Sequence, residues 1–247
     1  MVKLVFLEYF KNNKIKNFIL PLIVINFSFF ITLMMLIFIP EIAVETHYNI
    51  EGNFKRFVFN ALQMSLYLFS PLMLVIMTTS NLGKEFNEKT FRNILTTGVC
   101  RTRILISKFL YLSLIVLICF IFNFVMTIII SLFNNFEFNL NDLINVIQTY
   151  MISYLFIIYL IPLIMFFTMI IKNNATIIVI SFITLLGGTL LKTVKPNIIL
   201  PFSFSMDALN LLTEDMPISN LTLIMCLLYF ISFSIASYYY FKKQDLT

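Results

Sequence analysis

Six stretches of this chain are so long, so apolar and so free of charge that water is the wrong medium for all of them. They are Phe18–Ile39, Phe57–Thr79, Phe109–Leu132, Val146–Ile171, Ala175–Leu191 and Leu221–Tyr240, and none contains Asp, Glu, Lys or Arg. A hydrocarbon core of ~30 Å is crossed by about 20 apolar helical residues. A helix also pairs its own backbone groups where no water can do so. The expected fold is therefore an all-α integral membrane protein with six transmembrane helices, spanning about 18–39, 57–79, 109–132, 146–171, 175–191 and 221–240, in a single domain of residues 1–247. Composition agrees where it counts. Only 12% of residues are charged, about half the share in a soluble domain. The first run is too long for the core of a signal peptide, and Pro40-Glu41-Ile42-Ala43-Val44-Glu45 offers no small-x-small cleavage site, so it reads as a retained span.

Basic residues set the expected direction. With the N-terminus inside, thirteen of the seventeen Lys and Arg fall in inside segments and four outside. This is the positive-inside bias, and it predicts a multi-pass protein of the cell membrane with both termini cytoplasmic. The net charge of +5 sits between apolar runs, which points to the lipid bilayer as partner and away from nucleic acid. Cys100, Cys119 and Cys226 have neither disulfide nor metal spacing, and the single His47 has no companion ligand nearby. No cofactor is implied.

Residues 1–17 place Val2, Val5, Phe6, Tyr9 and Phe10 on one helical face and Lys3, Lys11 and Lys14 on the other. An interfacial helix on the cytoplasmic surface is expected, with an ordinary basic flank as the alternative. The outside loops 41–56 and 133–145 carry Glu41, Glu45, Glu51, Glu137 and Asp142 and read as solvated acidic loops. Lys172-Asn173-Asn174 reads as a tight turn joining spans four and five. Residues 192–220 are unusually apolar for a loop and are punctuated by Pro196, Pro201 and Pro217. Neither half is long enough to cross, so a re-entrant hairpin or an extracellular cap is expected. Pro71 and Pro162 should kink spans two and four, and Gly187-Gly188 should permit close helix approach.

What the spans lack narrows the function. Coupled transporters and pumps use intramembrane ionisable groups, and none lies within these runs. A triad or proton relay has no parts, and no P-loop motif is present for ATP. Mid-span polarity is limited to groups such as Asn26, Thr32, Gln63, Asn123, Thr127 and Thr184. These pair between helices or line a path for an amphipathic solute. Uphill transport would draw its energy from another subunit. A scaffold, a sensor or a membrane enzyme is the competing class.

The largest inside loop, 81–108, is built differently from the others. Thr90 is a good N-cap and Gly98 a good helix stop, and Phe91, Ile94 and Leu95 share one face between them. Thr102 is placed to cap the third span. So short a helix is marginal alone. It packs either on the ends of its own spans or in a groove of a soluble subunit.

The run Glu85-Phe86-x-x-x-Thr90-Phe91-Arg92-Asn93-Ile94-Leu95-x-x-Gly98-Val99-x-Arg101-Thr102, followed by Ser107-Lys108, resembles the cytoplasmic loop of type-2 ABC transporter permeases. In that family an acidic residue ends the second span, a Thr-led coupling helix follows, and a Lys enters the third span. The layout is similar too: six spans, an N-terminal interfacial helix, a tight fourth-to-fifth turn and a re-entrant hairpin before the last span. Lys89 and Cys100 stand where the family has Gly and Ser. The resemblance implies a membrane subunit without its own ATPase site, an ABC ATPase subunit as partner, and a second permease chain, identical or related. It implies docking of the ATPase by Glu85, Thr90, Phe91, Ile94, Leu95, Gly98 and Arg101, and an extracellular gate at Pro196, Pro201, Phe202 and Phe204. The small, Trp-free, Phe- and Ile-rich form is most similar to bacterial plasma-membrane permeases of antimicrobial-peptide self-protection and peptide export.

Overall fold

The computed structural model of the chain describes residues 2–11, 15–38, 52–83, 85, 100–171, 173–194, 207–212 and 220–243. Among these, all regular structure is helical. The elements are α1 (Val2–Lys11), α2 (Ile15–Phe38), α3 (Asn53–Gly83), α4 (Arg101–Phe133), α5 (Leu140–Ile171), α6 (Asn174–Val194) and α7 (Asn220–Lys243). A short 3₁₀ turn, Ala208–Leu211, precedes α7. Five helices are long and apolar enough to cross a membrane: Ile19–Phe38 within α2, then α3, α4, α5 and α7. Within α6, Asn174–Gly188 is a shorter apolar stretch. His47, and most of the expected loop 41–56, lie outside the described residues.

The helices sort their faces as lipid-embedded helices must. On α2, Ile19, Ile23, Phe27, Phe30, Met34 and Ile37 recur at three- and four-residue spacing and are all exposed, whereas Ile25, Asn26, Ser28, Phe29 and Thr32 face inward. Helices α3 and α5 are the most enclosed of the long helices. Helix α3 buries Val58, Leu62, Leu66, Met73, Leu74 and Leu82 in the core that also holds Leu112 and Val116 of α4 and Ile157, Leu160 and Ile164 of α5.

Both expected proline effects are present, in different forms. Pro71 has no N–H to give to the carbonyl four residues back. A π-helical turn, Ser65–Phe69, accommodates this, with the Ser70 N–H reaching back to the Ser65 carbonyl and the two serine hydroxyls 3.1 Å apart. At Pro162 the helix is interrupted instead, so that α5 breaks at Tyr159 between Leu140–Ile158 and Leu160–Ile171. The Ser237 hydroxyl of α7 donates to the Pro162 carbonyl at 3.1 Å. Close helix approach is seen at Gly83 and not at Gly187. A Cβ added at Gly187 would meet nothing within 4 Å, whereas one at Gly83 would run into the Asn174 side chain. Asn173 caps α6, accepting the Ala175 N–H at 3.1 Å, so the turn between α5 and α6 is as tight as its sequence suggested.

Mid-helix polar groups satisfy one another. The Asn123 amide donates to Asn26 Oδ1 (3.3 Å), the Tyr150 hydroxyl donates to Asn123 Oδ1 (2.8 Å), and Thr127 lies 3.0 Å from that hydroxyl. This joins α2, α4 and α5. Thr32 and Thr184 instead return their hydroxyls to their own helix backbones. At the far end of the bundle, α4 closes with Asn135 in the left-handed region at φ 53°. Phe136 N–H reaches the Ser131 carbonyl and Asn135 N–H the Leu132 carbonyl, each at 3.1 Å, the paired bonds of a Schellman stop. Asp142, expected only as a solvated loop acid, closes a capping box with Asn139 and pairs with Lys55 at 2.8 Å.

Asn123→Ala strands the buried Asn26 and Tyr150 groups and is expected to cost ~1 kcal/mol, lowering the detergent-solubilised midpoint by about 2–4 °C. Thr184→Val, on an exposed helix surface, should stay within about 0.5 kcal/mol of the parent. Thermal unfolding followed by fluorescence separates the two.

Candidate functional site

At the end of the bundle where α1 lies against α4, the structure buries a cation. Lys108 is fully enclosed, at 0% exposure. Its ammonium meets Glu85 Oε1 at 2.8 Å, Glu8 Oε1 at 3.0 Å and Asn81 Oδ1 at 3.2 Å. An ammonium has three protons and no acceptor, so these three oxygens match its full donor set. Both carboxylates are nearly enclosed as well.

The sequence builds this point from three pieces of chain. Helix α4 starts at Arg101, eight residues before its uncharged run, with Cys100 rather than Thr102 as N-cap residue. Lys108 is therefore two turns inside a helix, and not in a solvated loop as its basic surroundings suggested. Helix α3 ends in a second π turn, Thr79–Gly83, whose wider winding turns Asn81, Leu82 and Gly83 inward together. That turn delivers Asn81, and Glu85 two residues beyond it, onto Lys108. Helix α1 delivers Glu8. Its buried side runs through Leu4, Val5 and Glu8, while Phe6 and Leu7 are exposed. Phe6 was expected on the apolar face with Val5, and the carboxylate shifts that face because it must follow its cation inward.

The loop's far end is also tied down. The Arg101 guanidinium donates to the carbonyls of Phe241 and Lys242, at 3.3 and 3.0 Å. These are last-turn carbonyls of α7, where a cation is favoured by the partial negative charge of the helix end. Of the docking residues expected from sequence, Glu85 is thus buried among α1, α3 and α4, and Arg101 joins α4 to α7. Thr90, Phe91, Ile94, Leu95 and Gly98 lie outside the described residues, as do Pro196, Pro201, Phe202 and Phe204. Sequence reasoning missed Glu8 and Asn81, and it placed Lys108 in the motif without anticipating its burial. The signal available for Glu8 was its being the only acid among the Lys residues of segment 1–17. Among the described residues no group of three or more His, Cys, Asp or Glu is placed to hold a metal, and all three cysteines are free.

Lys108→Met leaves two buried carboxylates without their cation and is expected to cost 3–5 kcal/mol, about the worth of breaking a buried pair. The triple variant Lys108→Met/Glu8→Gln/Glu85→Gln removes the stranded charge and should recover most of that loss. Membrane accumulation and thermal unfolding of the single and triple variants measure both effects.

This geometry ties the two residues flanking segment 86–99 into the bundle, Glu85 to Lys108 of α4 and through it to Glu8 of α1, and Arg101 to α7. A family model described as ABC-2 family transporter protein matches residues 5–188, about three quarters of the 247-residue chain. The match takes in residues 5–11 of α1, the whole of segment 86–99, and Glu85, Lys108 and Arg101, and it ends before α7. No curated protein matches the chain. By the extent of that match the chain belongs to the ABC-2 transporter family, and it is the membrane subunit of an ABC transporter.

Proposed function

We propose that this chain is the permease of an ATP-driven exporter that moves amphipathic or antimicrobial peptides, or lipid-like molecules, out of a bacterial cell or its membrane. The observation that carries the reading is the two-ended anchoring of segment 86–99. Glu85 holds its start on Lys108, and Arg101 holds its end on α7. In this reading α2 to α7 make six spans, both termini are cytoplasmic, and α1 lies in the cytoplasmic interface. A separate ATPase subunit docks on the Phe91, Ile94 and Leu95 face of a helix begun by Thr90 and stopped by Gly98. A second permease chain completes the path.

The mechanics follow from the contacts. Closure of the ATPase dimer displaces the coupling helix. Through Glu85 and Lys108 that displacement reaches α3, α4 and, by Glu8, the interfacial α1. Through Arg101 it reaches α7. The end of α3 also abuts the start of α6 at Gly83 and Asn174. A rigid ionic link suits this role, since it transmits both push and pull without burying an unpaired charge.

At the opposite end, residues 192–220 form the outer gate, with Pro196, Pro201, Phe202 and Phe204 as its turning points and aromatic plug. Support comes from the described part of that segment. Ala208, Leu209 and Leu212 are buried in the bundle core, which suits a re-entrant segment better than a solvated cap. An amphipathic or lipid-like cargo fits because Asn26, Asn123, Thr127 and Tyr150 are engaged with one another and leave largely apolar surfaces.

Phe91→Asp puts a charge on the docking face and should leave membrane insertion intact while abolishing ATP-dependent export. The check is survival of cells carrying the complete transporter against a lantibiotic and against bacitracin. Full protection by the Phe91→Asp chain would sink the coupling-helix assignment, and no protection by the parent chain would remove the peptide substrates.

A further inference from the structure

A cleft of about 290 Å³ opens between α4, α5 and α7 at the end of the bundle that holds Lys108. Its walls are apolar: Leu105, Ile106, Phe109, Met165 and Phe230 are among the lining side chains. Phe109 and Phe230 meet edge to face at 5.9 Å. The Ser237 hydroxyl in the lining is already spent on the Pro162 carbonyl. Ile106 is 43% exposed and lies on the open side, so the cleft faces the bilayer rather than the bundle interior. Its other end is basic. Lys242 Nζ stands 6.0 Å from the ring of Tyr238, which lines the cleft. Arg103 is exposed on α4 beside Thr102 and one turn from Ile106.

We propose that this cleft binds an anionic phospholipid, with one acyl chain between α4 and α7 and the headgroup phosphate against Arg103 and Lys242. The argument is complementarity of both parts. The slot is lined mainly by apolar side chains and is open to lipid, which suits a hydrocarbon chain. Two cations at its mouth suit an anionic headgroup at the membrane surface. A second copy of the chain is a poorer occupant, because the same end of that copy brings Arg101, Arg103, Lys242 and Lys243 to the same depth and meets like charge with like. The proposal does not depend on the export reading, because it concerns lipid retained by the chain and not cargo moved by it.

The test uses the purified full-length chain, with any subunits that accompany it, equilibrated in detergent with phosphatidylglycerol or phosphatidylcholine of identical acyl chains. Lipid retained after a delipidating wash is counted by native mass spectrometry. The parent should keep about one phosphatidylglycerol per chain and about 25-fold less phosphatidylcholine. Arg103→Gln/Lys242→Gln removes two charges, each worth about fivefold. It should cut phosphatidylglycerol retention about 25-fold, down to that of phosphatidylcholine, and leave phosphatidylcholine unchanged. Ser234→Phe fills the slot and should abolish retention of both. If that chain fails to accumulate, Ile106→Trp narrows the same slot from its exposed side. Equal retention of the two lipids, or unchanged retention in the filled-slot variants, overturns the proposal. So does inter-chain crosslinking through Ile106→Cys, in a chain otherwise lacking cysteine, that phosphatidylglycerol does not suppress.

Discussion

One ammonium group holds the basic end of this protein together. A lysine with no exposure is tolerated only when its charge is paired and its protons are all accepted. Lys108 meets that condition with Glu8, Glu85 and Asn81. Glu8 comes from α1, and Asn81 and Glu85 from the end of α3 and just beyond it, so one electrostatic requirement fixes the seat of α1, the exit of α3 and the entry of α4. Helix α1 is therefore packed into the bundle through Glu8. The loop leaving Glu85 starts from a fixed point, and the bond from Arg101 to α7 gives it a fixed end.

Elsewhere the same accounting is settled without charge. Pro71 is absorbed by a π turn, Pro162 by a break at Tyr159, and hydroxyls such as those of Thr78, Thr79 and Thr168 by carbonyls of their own helices. The Asn26, Asn123, Thr127 and Tyr150 group spends its donors and acceptors across three helices. What remains to face outward is almost wholly hydrocarbon, on α2, α6 and α7 above all. A bundle with polar contacts concentrated inside and rigid ion pairs at one end is suited to move as packed bodies, which is what an externally powered permease requires.

Much of this was legible in the sequence because hydropathy is a local property. The positions of the long helices, the tight turn at Asn173 and the irregularities at Pro71 and Pro162 follow from residues close in the chain. Lys108 was not legible, since a lysine beside a basic loop looks solvated until tertiary structure supplies two acids from 23 and 100 residues away. The inward face of α1 was misjudged for the same reason: apolar periodicity favoured Phe6, and Glu8 took the buried position because its cation is there. Gly187 illustrates the converse. A small residue permits close approach, but only a neighbouring helix makes it happen, and that happens at Gly83. The docking face at Phe91, Ile94 and Leu95 and the gate at Phe202 and Phe204 rest on sequence pattern alone.

The measurement that bears most directly on the central claim is ATP hydrolysis by the assembly that the tagged chain brings with it from native membranes in mild detergent, with its subunits identified by mass spectrometry. The account predicts a nucleotide-binding subunit in near one-to-one proportion with the permease chains, and hydrolysis that disappears when that subunit is removed. A preparation that carries no nucleotide-binding protein in any of several mild detergents, and hydrolyses no ATP, would contradict it and leave a membrane scaffold or sensor in its place.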